Sequence, residues 1–283
     1  MLYIMFFSRY IRFEHPSGRV PGAPSVARGR VRMNIMSDIP KTHPRYKSLM
    51  LRERLVAGFD AGYVVPQGLI AHGRGEMFYY LLGEKTTKEA RAAAKAAAAL
   101  LLEAERPVIS VNGNVAALCP KEVVELAEAS GARLEVGLFH RSDQRVSKIA
   151  EVLEKNGAKG VLGFLPDARI PGLESMRGLC TSEGIYSADV VLIPLEDGDR
   201  AEALARMGKR TIAIDLNPLS RTSKAATVTV VDEVTKALPE IRACVEDLAD
   251  DPDARRQALE RYDRDGNLAK VMAAMMRNLD AKA

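Results

Sequence analysis

The sequence predicts an α/β protein: a mainly parallel, doubly wound sheet of six strands, with helices before it and a helical extension after it. Three observations predict this. Short, β-branched apolar runs recur from residue 107 onward, "PVISV", "RLEVGLF", "GVLGF", "ADVVLIP", "RTIAID" and "ATVTVV". Most are separated by stretches of helical periodicity, such as "PKEVVELAEASG", "SDQRVSKIAEVLEKNG" and "DRAEALARMG". The runs are continuously apolar rather than alternating, the pattern of strands buried on both faces beneath helices. Together these describe a Rossmann-like sheet.

Taken in order, residues 1–35 start apolar and pass into a Gly/Pro/Arg stretch with neither helix nor strand periodicity. Arginines follow the short apolar patch and no small-residue cleavage site closes it, so it does not read as a signal peptide. We expect it to be disordered or not translated, with Met36 as the start. Residues 36–250 are expected to form the Rossmann-like domain, and 251–283 a helical tail that packs on the body or on a partner subunit. Within the domain, "THPRYKSLMLRERLVAGFDAG" carries a proline near a helix start and glycines near its end. "TTKEARAAAKAAAALLLEAE" is an alanine-rich helix with Thr86 or Thr87 as its cap. The Gly/Pro-bearing segment from Pro166 to Ser187 breaks the alternation of strands and helices.

Composition excludes several functions. Aromatic residues make up 5% with no tryptophan, which leaves little for a stacking platform for single-stranded nucleic acid or an aromatic floor for a sugar. The net charge of +4 is an effect of the first 35 residues, where six arginines face one glutamate; the rest of the chain is about −1. No nucleic-acid partner is therefore expected. Cys119, Cys180 and Cys244 are widely spaced without a CxxC pair, which indicates reduced thiols rather than a disulfide framework or zinc site. No apolar run approaches the roughly 18 residues of a membrane span, so a cytoplasmic protein with no membrane partner is expected.

In such a sheet ligands sit outside the carboxyl ends of the strands, and the residues there are the candidates. "LIAHGRGEMF" puts His72 and Arg74 between an apolar run and a helix predicted to open at Gly75. The glycines allow close backbone approach and the arginine suits phosphate. In "SVNGNVAAL", Asn112, Gly113 and Asn114 follow a strand; this is not GxGxxG, so the dinucleotide fingerprint is absent, yet the asparagines can donate to phosphate or ribose oxygens. "LFHRSDQR" places His140 and Arg141 at a strand end and Asp143 at a helix start. In "LEDGDR", Glu196, Asp197 and Asp199 repel one another unless a cation is bound or Arg200 compensates. Such carboxylates suit Mg²⁺ bridging a nucleotide, a ribose contact, or a solvated turn with a helix cap. "DLNPLSRTSKAA" supplies Asn217, Ser220, Arg221, Ser223 and Lys224, an anion-friendly loop or a plain polar connection.

With "HPRYKSLMLRERL", "GLIAHGRGEMFYYLLGE", "VNGNVAAL", "RIPGLE", "ADVVLIPLEDGDRAEALARMGK" and "DLNPLSRTS" in order, the chain resembles the archaeal phosphopantothenate synthetases, also called 4-phosphopantoate–β-alanine ligases. The resemblance runs from about Met36 to about Leu248. It implies an ATP-dependent, magnesium-using homodimer of coenzyme A biosynthesis, which joins 4-phosphopantoate to β-alanine through an acyl-adenylate and releases AMP and diphosphate. By position it implies Arg52 and Arg74 as contacts to ATP, with the loop Asp197–Gly198–Asp199 and the Asn217 region holding the nucleotide; Arg200, next to that loop, is a further nucleotide-binding candidate. Arg221 and the acidic loop join them in neutralising charge. His72, Asn112–Asn114 and Arg141 are left for the substrate, Glu196, Asp197 and Asp199 for the metal, and His140 or Asp143 for the general base. The competing readings are a nicotinamide-dependent oxidoreductase and a nucleotide-binding regulator without turnover.

Overall fold

The computed structural model describes residues 39–280. The expectation for residues 1–35, with a start at Met36, lies outside them. Three helices come first: α1 (Tyr46–Asp60), α2 (Pro66–Leu82) and α3 (Lys88–Leu102). Next come β1 (Pro107–Val111), α4 (Gly113–Leu118), α5 (Pro120–Ser130), β2 (Arg133–Val136) and α6 (Asp143–Lys155). The Pro166–Ser187 segment contributes a short antiparallel pair, β3 (Ala168–Arg169) and β4 (Leu179–Cys180). The chain continues through β5 (Val190–Pro194), α7 (Gly198–Arg206), β6 (Arg210–Ile214), α8 (Arg221–Ala225), β7 (Val228–Val230), α9 (Val234–Leu248), α10 (Pro252–Arg261) and α11 (Arg264–Asp280).

The main sheet is parallel, in the order β2-β1-β5-β6-β7, and has five strands rather than the expected six. The run "GVLGF" makes only one parallel bridge, Leu162 with Glu135. Its glycines are the reason. Gly160 and Gly163 have φ of 63° and 112°, outside extended geometry, and a Cβ at Gly163 would stand 2.8 Å from the Val136 carbonyl oxygen.

The apolar strands divide their side chains between two cores. Ile109, Val111, Leu192, Ile212 and Ile214 pack with the alanines of α3, Val123 and Leu126 of α5, and Leu238 and Ile241 of α9. Val108, Val191, Ile193 and Ala213 pack on the other face with Ala201 and Leu204 of α7 and with Ile170 and Ile185 of the excursion between α6 and β5. Burial on both faces is why these strands carry no polar alternation. Thr87 caps α3 by accepting the Ala90 N–H at 3.1 Å. The tail packs on the body: Leu268, Val271 and Met275 of α11 join Leu82 and Val231, and the Tyr262 hydroxyl accepts the Thr229 N–H of edge strand β7 at 3.1 Å. Among the described residues, no helix is long and apolar enough to cross a membrane.

Strand order reverses between β1 and β5, and Asn112 joins their ends. Its Oδ1 accepts the N–H groups of Asn114 (3.0 Å) and Val115 (3.1 Å), which caps α4. Its Nδ2 donates to the carbonyls of Pro194 and Leu195, both at 3.1 Å. Asn112→Ala removes a helix cap and the partners of two carbonyls. The expected loss is about 2 kcal/mol, read as a lower denaturant midpoint with an unchanged m-value.

Candidate active site

A cleft of about 260 Å³ opens at the carboxyl ends of β1, β2 and β5, where the strand order turns back. Its walls come from five places in the chain: Val65, Gln67, Gly68, Ala71 and Arg74 of α2 and its approach, Asn112–Asn114 after β1, Gly137–His140 after β2, Arg145 of α6, and Leu195–Asp197 after β5. Two close approaches shape it. A Cβ at Gly68 would lie 2.4 Å from Asn114 Oδ1, while Asn114 Nδ2 donates to the Gly68 carbonyl at 2.9 Å, so the first turn of α2 sits directly on α4. Leu195 takes φ of 53°, an uncommon state for a bulky residue and a form of strain that gathers at functional sites.

The cleft has arginines facing it and arginines behind it. Arg74 is exposed on its wall. Arg145 donates through Nη2 to the Tyr63 carbonyl at 2.9 Å and also to the His140 carbonyl, and burial lowers its pKa. Arg200 is different: it is 2% exposed, beneath Gly137, where a Cβ would stand 2.4 Å from its Nη1. That nitrogen donates to Glu196 Oε2 at 2.6 Å and to Ser110 Oγ at 3.1 Å, while Nε and Nη2 have no hydrogen-bond partner. A second buried carboxyl, Glu135, accepts the N–H groups of Thr181 (2.7 Å) and Ile185 (2.6 Å). Burial raises its pKa, opposed by those hydrogen bonds and by Arg200.

The acidic loop is neutralised by protein cations. Glu196 pairs with Arg200, and Asp197 and Asp199 both face the guanidinium of Arg177. Among the described residues, no three His, Cys, Asp or Glu side chains gather as a cation site. The expected metal set of Glu196, Asp197 and Asp199 thus faces Arg200 and Arg177 and does not converge on one point.

Of the residues singled out in the sequence, Arg74, Asn112, Gly113, Asn114, His140, Glu196 and Asp197 line the cleft. The amide of Asn112 is already saturated and leaves no free N–H for a ligand. His140 is exposed, with its ring 4.7 Å from that of Phe139. The others lie elsewhere. No helix opens at Gly75, because α2 runs unbroken from Pro66 and carries Gly73 and Gly75 in its interior. His72 consequently turns away from the cleft, with Nε2 buried and unpartnered. Arg52 makes a two-toothed pair with Glu76, at 2.9 and 2.7 Å. Arg141 donates to the Gly163 carbonyl, and Asp143 is exposed in the first turn of α6, which Ser142 caps.

The Asn217–Arg221 loop closes on itself. Asp215, whose pKa is raised by burial, accepts the Asn217 N–H at 2.9 Å and the Ser220 hydroxyl at 2.5 Å. Ser220 caps α8, and Arg221 turns to Glu202 at 2.9 and 2.7 Å. Gly198 serves this packing, since a Cβ there would meet Arg221 Cβ at 2.4 Å. Sequence reasoning missed Arg145, Arg177 and Phe139. Arg145 follows His140 within the same motif, so only its reach back to Tyr63 was hidden. Arg177 lies in the excursion that breaks the βα alternation.

The chain matches the family model for phosphopantothenate/pantothenate synthetase over residues 89–278. It is similar to the 4-phosphopantoate–β-alanine ligase of Methanosarcina mazei, 51% identical over 252 residues, which covers 88% of this chain and 98% of the relative. The protein of the same name from Methanospirillum hungatei is 59% identical over 209 residues, 74% of this chain and 85% of the relative. That from Thermococcus kodakarensis is 50% identical over 241 residues, 84% and 92% of the two chains.

His72 yields a pH prediction. Burial, reinforced by Arg52 and opposed by Glu76, lowers its pKa below the ordinary value. The unfolded chain then binds a proton that the folded one resists. The stabilising difference is present above about pH 6.5 and is lost as pH falls toward the lowered value. His72→Leu should flatten that part of the acid decline in urea melts between about pH 7.5 and 5. An unchanged slope would assign the decline to other groups.

Proposed function

We propose, because the chain belongs to the phosphopantothenate/pantothenate synthetase family, that it is a 4-phosphopantoate–β-alanine ligase of coenzyme A biosynthesis and that the cleft at the ends of β1, β2 and β5 is its active site. The observation that carries the location is the meeting of Arg74, Arg145 and His140 in one cleft where the strand order reverses. That order also supports the reading of the sheet as Rossmann-like and doubly wound, since ligands of such sheets bind at the reversal. Neither an oxidoreductase nor a regulator without turnover is retained beside the family.

The chemistry accounts for the cations. A carboxylate is a poor electrophile, so amide formation calls for the 4-phosphopantoate carboxylate to attack the α-phosphorus of ATP and expel diphosphate. The amine of β-alanine then attacks the acyl carbon of the adenylate, and AMP leaves. The first step brings two anions together, and fixed positive groups stabilise the charge as it concentrates. Arg74 is free to reach the phosphates. Arg145, which lines the cleft where Arg141 does not, is read as the anchor of the phosphopantoate phosphate, its guanidinium braced by the Tyr63 and His140 carbonyls. Asp197 can accept ribose hydroxyls. Amine attack requires loss of an ammonium proton, and His140 serves as the base in preference to Asp143, which is outside the cleft.

Magnesium is read as entering with the triphosphate rather than resident on Glu196, Asp197 and Asp199, whose charges are already matched. A cytoplasmic homodimer completes the proposal. For the dimer, the support is α2, where Ile70 and Met77 are each 64% exposed and flank Arg74.

In an end-point assay with ATP, magnesium, 4-phosphopantoate and β-alanine, AMP should appear only when both organic substrates are present; ADP instead would mean an acyl-phosphate route. Arg74→Ala should lower kcat/KM by about 10²-fold or more. His140→Ala should lower kcat about 10²-fold near neutral pH, with part of the loss recovered at higher pH as free amine accumulates. Turnover within a few fold of wild type at every pH would remove His140 from the mechanism.

A further inference from the structure

The Pro166–Ser187 segment takes no part in the main sheet, yet one of its side chains reaches Asp197 of the cleft wall. Arg169 holds the local backbone, its Nη1 donating to the carbonyls of Leu173 (2.9 Å), Glu174 (3.0 Å) and Ser175 (2.9 Å). A 3₁₀ turn over Met176–Gly178 follows, tight enough that a Cβ at Gly178 would stand 2.5 Å from the Leu173 carbonyl oxygen. This turn presents Arg177.

The Arg177 side chain is 12% exposed and makes two kinds of contact. It pairs with Asp199 Oδ2 and, at 3.8 Å, with Asp197 Oδ2 after β5. Its guanidinium also lies 4.5 Å from the centre of the Phe139 ring, in the loop after β2 that carries His140. One guanidinium thereby ties two loops that both line the cleft, through Phe139 and Asp197. It does not line the cleft, unlike Arg74 and Arg145.

We propose that Arg177 is a positioning residue of the ligase site: it cancels the charge of Asp197 and Asp199 at the rim, so that a nucleotide polyphosphate can enter past a wall that carries carboxylates. The inference rests on the reading of this cleft as the ATP site. Left unmatched, two carboxylates beside an incoming polyanion repel it, and the repulsion fades as salt screens it. Arg200 performs the same cancellation for Glu196 from below. The difference is access: Arg200 is sealed under Gly137, whereas Arg177 meets a carboxylate on the cleft surface. Arginine suits the task because its planar fork can meet two carboxylates while its face stacks on an aromatic ring.

The test is the kinetics of the full chain with ATP varied, for wild type, Arg177→Gln, Arg177→Lys, Asp199→Asn and the double variant Arg177→Gln/Asp199→Asn, at low and high ionic strength. Arg177→Gln should raise the KM for ATP about tenfold at low salt, with kcat within a few fold and the defect smaller at high salt. Arg177→Lys should recover most of the affinity. The double variant should recover most of the Arg177→Gln defect and stay somewhat above Asp199→Asn in KM, because Asp197 alone is left unmatched. A double variant as poor as Arg177→Gln would mean that Arg177 contacts phosphate directly. An unmoved KM with a lower melting temperature would leave it a purely structural role. Either result overturns the inference while wild-type AMP formation keeps the ligase reading; a wild type that forms no AMP sinks both. Should Arg177→Gln fail to fold, Asp199→Asn alone decides, with a lower KM for ATP at low salt expected and an unchanged or higher one against the proposal.

Discussion

The amide of Asn112 is the point from which the cleft is built. A parallel sheet whose strand order turns back must separate two loops that leave neighbouring strands in opposite directions. Here that separation is bounded by one side chain, which accepts two N–H groups from α4 and donates to two carbonyls at the end of β5. The second of those carbonyls belongs to Leu195, the residue in the left-handed region, so the amide helps to hold a conformation that the chain would otherwise relax. Glu196 and Asp197 begin from that residue, and their directions are inherited from it. Rigid strand ends with polar loops attached are what let five distant pieces of sequence line one cavity.

Charge is the second constraint. Burying Arg200 is costly, and its single carboxylate partner and one serine hydroxyl leave two nitrogens unpartnered. Buried pairs of this kind seldom contribute net stability, because desolvation offsets the attraction. Their presence under the cleft floor is better understood through what they do to its surface. Glu196 is turned down toward Arg200 and its charge is matched from the interior. Glycine at 137 is the condition for this, since any side chain there would occupy the space of the guanidinium.

Much of this was legible in the sequence, and the exceptions have physical causes. Apolar, β-branched runs located all five parallel strands; β1 and β5 are buried at every residue, while β2 keeps Arg133 exposed. The run "GVLGF" has the same composition, but two glycines with positive φ bend it away after one bridge. The glycines of α2 misled in the opposite direction. Their intrinsic cost to a helix is about 1 kcal/mol each, an amount the contacts of α2 with α1, α4 and α11 outweigh, so Gly73 and Gly75 sit inside a helix that the local sequence argued should begin at the second of them. Polar loops after strands were legible in the sequence; the partners that they find in the fold were not. Asn217, Ser220 and Arg221 have the right chemistry for an anion, but Asp215 and Glu202 satisfy them first. No local pattern announces such a partner, because both acids reach the loop through the fold.

The same reasoning explains why the arginines that matter most were the harder ones to see. Arg74, exposed on α2 between two glycines and close to His72, stands out by its neighbours. An arginine that only sets the potential needs no such company, so Arg177 arises from a 3₁₀ turn of the excursion and Arg200 from the buried face of α7. Screening makes this division consequential. Charges in open solvent are damped over about 8 Å at physiological salt, whereas buried or half-buried pairs are damped far less. Matching the carboxylates from beneath and behind therefore persists at working ionic strength, and it leaves the exposed cations unspent. For the proposed joining of two anions that surplus is the useful quantity, and the residues that preserve it, Arg177 and Arg200, do not line the cleft.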